Sequence, residues 1–91
     1  MDSIIQDEKK CYICGRYMTL QCHHIFGGTA NRKKSEQYGL KVWLCYDHHL
    51  GRDGVHYSKS LMEYMHKTGQ KAFEKTHTRE EFRKEFGKSY L

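Results

Sequence analysis

The chain has no proline, and no apolar run in it approaches the roughly 20 residues of a membrane-spanning helix. It is also short of Ile, Val and Leu: 37% of its residues are hydrophobic against 30% charged, with a mean hydropathy of −0.91. Each shortage excludes something. Nothing here reads as a membrane helix, and Met1 to Lys10, M-D-S-I-I-Q-D-E-K-K, is too polar for a signal peptide. The expectation is a cytoplasmic protein with no membrane contact. In that reducing compartment cysteines serve metal or catalysis rather than disulfides. A chain of 91 residues can bury one modest core, and a domain of that size is marginal on burial alone.

Against these shortages stand four Cys and seven His. The balance of 16 Lys+Arg against 11 Asp+Glu gives a net charge of +5 and a pI of about 9.1. That sign favours a polyanionic partner, although small basic proteins are common.

Residues 17–26, Y-M-T-L-Q-C-H-H-I-F, alternate as a strand does, with Met18, Leu20 and Cys22 opposed to Tyr17, Thr19 and Gln21. A second run, L-K-V-W-L-C at 40–45, sets Leu40, Val42 and Leu44 on one side and Trp43 on the other. Between them G-G-T-A-N-R-K-K-S-E-Q-Y-G reads as a basic loop opened by two glycines. From Ser58 onward the chain turns helical and rich in charge. Ser60 with Glu63 predicts one capping box and Thr78 with Glu81 a second. Leu61, Tyr64, Met65, Thr68, Ala72 and Phe73 follow helical spacing, with a break allowed at Gly69. Phe82 and Phe86 face inward on the last helix, and Gly87 caps it. The division is a core over 1–58 and a helical extension over 59–91 packed on it, one domain overall. Lysines of the extension read as a solvated face first and a DNA-tracking face second, with His66 and His77 exposed.

Cys11-Tyr-Ile-Cys14 is a CxxC knuckle followed by Gly15, and Cys45-Tyr-Asp-His48 is a C-x2-H knuckle of the same pitch. Structural zinc takes four nitrogen or sulfur ligands in a tetrahedron, and two knuckles supply them from two chain segments. A Cys3His site of Cys11, Cys14, Cys45 and His48 would close a loop that a small core could not close alone. The competing reading makes Cys11 and Cys14 buried or redox-active thiols. Cys22 could replace His48 as fourth ligand, but reads better as a small core residue. His23, His24, His49 and His56 remain outside that site. As neighbours on a strand, His23 and His24 point to opposite faces or diverge at a bulge, and so cannot share a job; the plainer reading makes some of the four ordinary surface or core histidines.

The pattern C-x2-C … H-H-I-F … L-C-x2-H-H … V-H resembles the HNH endonucleases of the ββα-metal superfamily. The likeness covers roughly residues 11–56. More narrowly the chain resembles small HNH-type proteins of phages and prophages of Gram-positive bacteria, through G-G-T-A-N-R-K-K-S-E-Q-Y-G-L and the later G-Q-K-A-F-E and R-E-E-F segments. The resemblance implies an α+β fold, a small zinc-stabilised ββα-metal domain with C-terminal helices. It implies metal-dependent hydrolysis of DNA phosphodiester bonds, as an endonuclease or nickase in the host-cell cytoplasm. His24 would be the general base, and His23, His49 and His56 would bind the catalytic metal, which is Mg²⁺, Mn²⁺, Ni²⁺ or Zn²⁺. Arg32, Lys33, Lys34 and Arg52 would anchor phosphates. The family's middle Asn falls where this chain has Leu40, which leaves Asn31 as the candidate for its role. The stretch L-G-R-D-G-V between His49 and His56 is longer than the family's usual gap, and it adds Asp53. The alternative reading is a non-catalytic, zinc-stabilised module on the same scaffold that binds DNA or a protein, such as a host defence or recombination complex.

Overall fold

A computed structural model describes residues 1–91. Its elements run β1 (Leu20–His24), α1 (Thr29–Tyr38), β2 (Lys41–Cys45), α2 (Tyr46–His49), α3 (Lys59–Phe73) and α4 (Arg79–Phe86). The architecture is α+β, with one antiparallel pair of strands and four helices.

The register of the pair decides which side chains go inside. Gln21 lies opposite Leu44 and His23 opposite Val42, while Cys22 meets Trp43 and His24 meets Lys41. Residues paired across a ladder share a face, and alternate residues along a strand do too. Val42 and Leu44 are buried, and so are His23 and Ile25 on the same face. The alternation expected for β1 is therefore inverted, and Cys22 is exposed rather than part of the core. The apolar anchors that set the phase are Val42 and Leu44 across the ladder and Ile25 beyond the strand end. Leu20 and Cys22 are too weak to override them. The opposed orientation expected for His23 and His24 holds.

The free edge of β2 is covered by the N-terminal segment. Ile4 N–H donates to the Gly39 carbonyl at 2.9 Å, and Tyr12 N–H donates to the Trp43 carbonyl at 2.8 Å. Ser3 Oγ donates to the Lys41 carbonyl at 2.6 Å, and Trp43 N–H donates to Gln6 Oε1 at 2.9 Å. Backbone groups that would otherwise template another strand are thus paired within the chain. Trp43 lies under this segment, with the Lys9 ammonium 4.5 Å from its ring centroid.

The stretch expected as a basic loop is the helix α1. It carries no apolar stripe, which hides it from a search for hydrophobic period. Its anchor is polar: Ser35, fully buried, accepts from Phe26 N–H at 3.0 Å and donates to the Phe26 carbonyl at 3.1 Å. Gly39 ends it in the left-handed conformation with φ 69°, a position that favours glycine.

The N-cap of α3 lies two residues earlier than expected. Ser58, not Ser60, is its N-cap and accepts from Leu61 N–H at 3.2 Å. The Thr78–Glu81 capping box forms as read, and Phe82 and Phe86 point inward. These rings join Phe26 and Phe73 in an aromatic cluster, with Phe26 centroids 5.2 Å from Phe82 and 4.7 Å from Phe86. His66 and His77 are not free surface groups. His66 stacks on Phe26 at 5.3 Å and His77 on Phe73 at 4.3 Å. The buried Gln70 side chain holds the C-terminal tail, donating to Ser89 Oγ at 2.9 Å and accepting from Tyr90 N–H at 2.6 Å.

No break occurs at Gly69. The helix runs through it because it is the point of closest approach to the strand end: a Cβ there would lie 2.8 Å from Ile25 Cγ2 and 3.0 Å from Phe26 Cε2. Gly69→Ala gains up to about 1 kcal/mol of helix propensity, against about 1–3 kcal/mol for overpacking a filled core. We expect a net loss of stability on the order of 1 kcal/mol, read as a lower urea midpoint. A midpoint at or above wild type would show that the interface yields.

Candidate metal centres

Two groups of ligand-type side chains converge, and one short helix belongs to both. The first comprises Cys11, Cys14, Cys45 and His48, whose ligand atoms all lie within 4.8 Å of one another. Cys11 begins a tight turn in which Gly15 N–H donates to the Cys11 carbonyl at 2.8 Å. Cys45 ends β2 and is the N-cap of α2, and His48 follows one turn on. Cys14 Sγ lies 3.8 Å from Cys45 Sγ, and His48 Nδ1 lies 3.7 Å from Cys11 Sγ and 3.3 Å from Cys45 Sγ. Ligands about 2.3 Å from a common tetrahedral centre stand about 3.8 Å apart. The spacing and the donor set therefore suit a metal ion and are compatible with structural zinc. Burial opposes ionisation of Cys11, but backbone N–H groups of Cys45, Cys14 and Ile13 outweigh it and bring that thiol down to about 6. Burial pushes Cys45 up, with Cys11 and Cys14 adding to the effect. Cys22 is not part of this group.

The second group is His23, His49 and His56, again within 4.8 Å. Ring centroids are 5.3 Å apart for His23 and His49, 5.6 Å for His23 and His56, and 5.2 Å for His49 and His56. His23 comes from the inner face of β1 and His49 from α2, directly after the His48 of the first group. The longer stretch before His56 folds back because Val55 is buried and donates its N–H to the His48 carbonyl at 2.8 Å. His23 is 4% exposed and its Nε2 has no hydrogen-bond partner. A buried polar atom left unpaired costs about 1–3 kcal/mol, so an orphan on a ring beside two other imidazoles fits a group able to hold a cation. Burial, then the rings of His49, His56 and His24, push His23 down to about 3 and keep it a neutral donor. His49 is also shifted down, by burial first.

Three polar residues complete the surroundings, and two of them have no signal in the sequence. Gln21, on the inner face beside His23, places Oε1 2.7 Å from His49 Nδ1. An amide oxygen only accepts, so Nδ1 carries the proton and Nε2 keeps its lone pair. Glu36, on α1, places Oε1 2.9 Å from His24 Nε2 and Oε2 2.7 Å from Lys41 Nζ. Lys41 foremost, and His24 after it, hold the Glu36 carboxyl down at about 2. The carboxylate is thus an acceptor only, which fixes the proton of His24 on Nε2 and leaves Nδ1 basic. The third is Asn31, half-buried in the first turn of α1. It lines the same cavity of about 560 Å³ as His23, His24, His49 and His56.

The basic residues separate. Arg32 lines this cavity, and with Lys33 it borders a depression beside His24 and Glu36. Lys34 turns the other way, donating to the Glu85 carbonyl at 2.6 Å, with Glu85 Oε2 3.6 Å away. Arg52 lies in a separate depression with Tyr46 and Tyr57. Asp53 is exposed and belongs to neither ligand group.

No protein-family model matches the chain, and neither a curated protein nor a solved structure matches it.

Two measurements follow from the geometry. Purified protein should carry one zinc by elemental analysis, lost in Cys11→Ser and retained in His24→Ala; unchanged stoichiometry in Cys11→Ser would remove that residue from the ligand set. In zinc-loaded protein, Gln21→Leu should weaken binding of Ni²⁺ or Mn²⁺ at the histidines about 10- to 100-fold by calorimetric titration. Equal affinity would show that Gln21 does not orient the His49 donor.

Proposed function

We propose that the chain is an HNH-type, ββα-metal nuclease that hydrolyses DNA phosphodiester bonds with a divalent cation held by His23, His49 and His56. The observation that carries this reading is the orphaned Nε2 of His23 inside a three-histidine cluster, with a carboxylate-oriented histidine lining the same cavity. Phosphodiester hydrolysis needs an activated water and charge on the scissile phosphate and leaving oxygen. A bound divalent cation supplies that charge.

The chain's own residues divide the remaining work. His24 takes the proton of the attacking water at Nδ1, since its Nε2–H is committed to Glu36. Glu36 is a positioning residue: it fixes the tautomer and favours the imidazolium that forms, as an orienting carboxylate does beside a general-base histidine. Asn31 and Arg32, at the mouth of the same cavity, hold the phosphate in line. The all-imidazole donor set suits Zn²⁺, Ni²⁺ or Mn²⁺ better than Mg²⁺, which prefers oxygen ligands. The alternative, a zinc-stabilised binding module without chemistry, keeps the Cys3His group but gives the partnerless buried Nε2 no purpose.

Plasmid nicking tests the proposal. Supercoiled DNA should be converted to the open-circular form with Mn²⁺ or Ni²⁺, and His24→Ala should lower the rate about 10²- to 10⁴-fold, the span of general-base catalysis. No cleavage with any divalent metal by zinc-replete protein would favour the binding module.

A further inference from the structure

The cavity that holds the histidines does not end at them. It shares His56, Met62, His66 and Tyr90 with a larger groove of about 850 Å³ between α3 and the C-terminal tail. This groove is lined by Lys59 and Lys67 from α3, Lys88 from the tail, and the aromatic Tyr57 and Tyr90. Its one acidic residue is Glu63. None of the three lysines takes part in an ion pair, whereas Lys34 and Lys41 are each held by a glutamate. Tyr57 is 74% exposed at the end of the groove nearest His56. The Lys88 ammonium lies 4.9 Å from the Tyr90 ring centroid, and three lysines against one glutamate give the groove a net positive charge that suits an anion. An exposed ring beside them offers a flat apolar surface.

We propose that this groove holds a single DNA strand running on from the histidine centre, its phosphates on Lys59, Lys67 and Lys88 and a base stacked on Tyr57. The combination of a basic groove with an aromatic platform is the general solution for binding a strand whose bases are unpaired. The volume falls in the range of small-ligand clefts, roughly 300–1,000 Å³. That is room for a few nucleotides of one strand, whose unpaired bases can reach the aromatic rings as paired ones cannot. His56, Met62, His66 and Tyr90 line both cavities, so the two lie side by side and a strand leaving one meets the other. The inference rests on the nucleic-acid reading of the histidine centre and narrows it to substrates with an unpaired segment beside the cleaved bond.

Fluorescence anisotropy on the full zinc-loaded chain, with no other divalent metal, tests it using a labelled 12-nucleotide oligo-dT and a 12-base-pair duplex. The single strand should bind more tightly. The triple variant Lys59→Ala/Lys67→Ala/Lys88→Ala should bind it at least tenfold more weakly. Its plot of log affinity against log salt should be shallower by about 2, at about 0.7 per phosphate contact. Tyr57→Ala should weaken binding about tenfold with the salt slope unchanged, as expected for lost stacking. Lys71→Ala/Lys75→Ala/Lys84→Ala removes the same charge outside the groove and should bind as wild type. Equal losses in the two triple variants, equal affinity for the duplex, or no binding of oligo-dT would each overturn the inference. The plasmid assay keeps the two proposals apart. Strand binding that needs the groove lysines, without cleavage by any metal, leaves the groove standing and removes the nuclease. Cleavage with groove variants indistinguishable from wild type does the reverse.

Discussion

The structure depends first on the closure of Cys11 and Cys14 onto Cys45 and His48. A two-stranded ladder is marginal in water by itself, and here it has 13 buried apolar residues to lean on, two of them these same cysteines. The cluster joins the turn at residues 11–14 to the end of β2 and the start of α2, so it fixes both the N-terminal cover and the direction in which the chain leaves the sheet. It also reaches beyond itself. His48 and His49 are consecutive in a helix of four residues, so whatever turns His48 toward the sulfurs turns His49 toward His23. The Val55 N–H on the His48 carbonyl then brings His56 to the same place. The position of the second group is thus tied to the closure of the first.

That arrangement explains a choice that stability alone would not make. The inner face of the sheet pairs Val42 and Leu44 with His23 and Gln21. Apolar residues at those positions would have enlarged a small core. Instead one imidazole is left with an unpaired nitrogen, at a cost comparable to a lost hydrogen bond. Sequences depart from consistent packing mainly where a site requires it, and here the departure coincides with the convergence of three histidines. Gln21 is the part of that face that has found its partner, and what it partners is another member of the cluster.

The sequence was most readable where spacing alone carries the information. The two knuckles, the Thr78–Glu81 box and the inward Phe82 and Phe86 are local patterns, and each appears in the structure as read. The opposed faces of His23 and His24 were legible for the same reason. What escaped depends on partners distant in sequence. Helix α1 has no apolar stripe and is anchored by Ser35 to the backbone of Phe26, so its hydrophobic pattern is that of a loop. The phase of β1 is set by β2 and by Ile25, and a reading that kept polar residues outward put Cys22 in the core. Glu36 meets His24 only because α1 folds back along the strand. Lys59, Lys67 and Lys88 look like scattered surface charge until the tail is pinned by Gln70. Ser58 took the cap from Ser60 because both can cap, and the tertiary position of the preceding turn decides between them.

The difference in donor chemistry between the two centres has a consequence for how they fill. Three thiol sulfurs and one imidazole bind zinc strongly, and in such closed sites the binding energy is folding energy. Three neutral imidazoles and no anionic ligand bind the same ion less tightly and leave coordination positions for water and phosphate. A single zinc ion per chain would therefore favour the cysteine group, and the histidines would be left to a borderline cation. Because α2 carries a candidate ligand of each kind, the geometry of the second group depends on that of the first. A chain in which the cysteine group is open would then lack a properly formed histidine group as well.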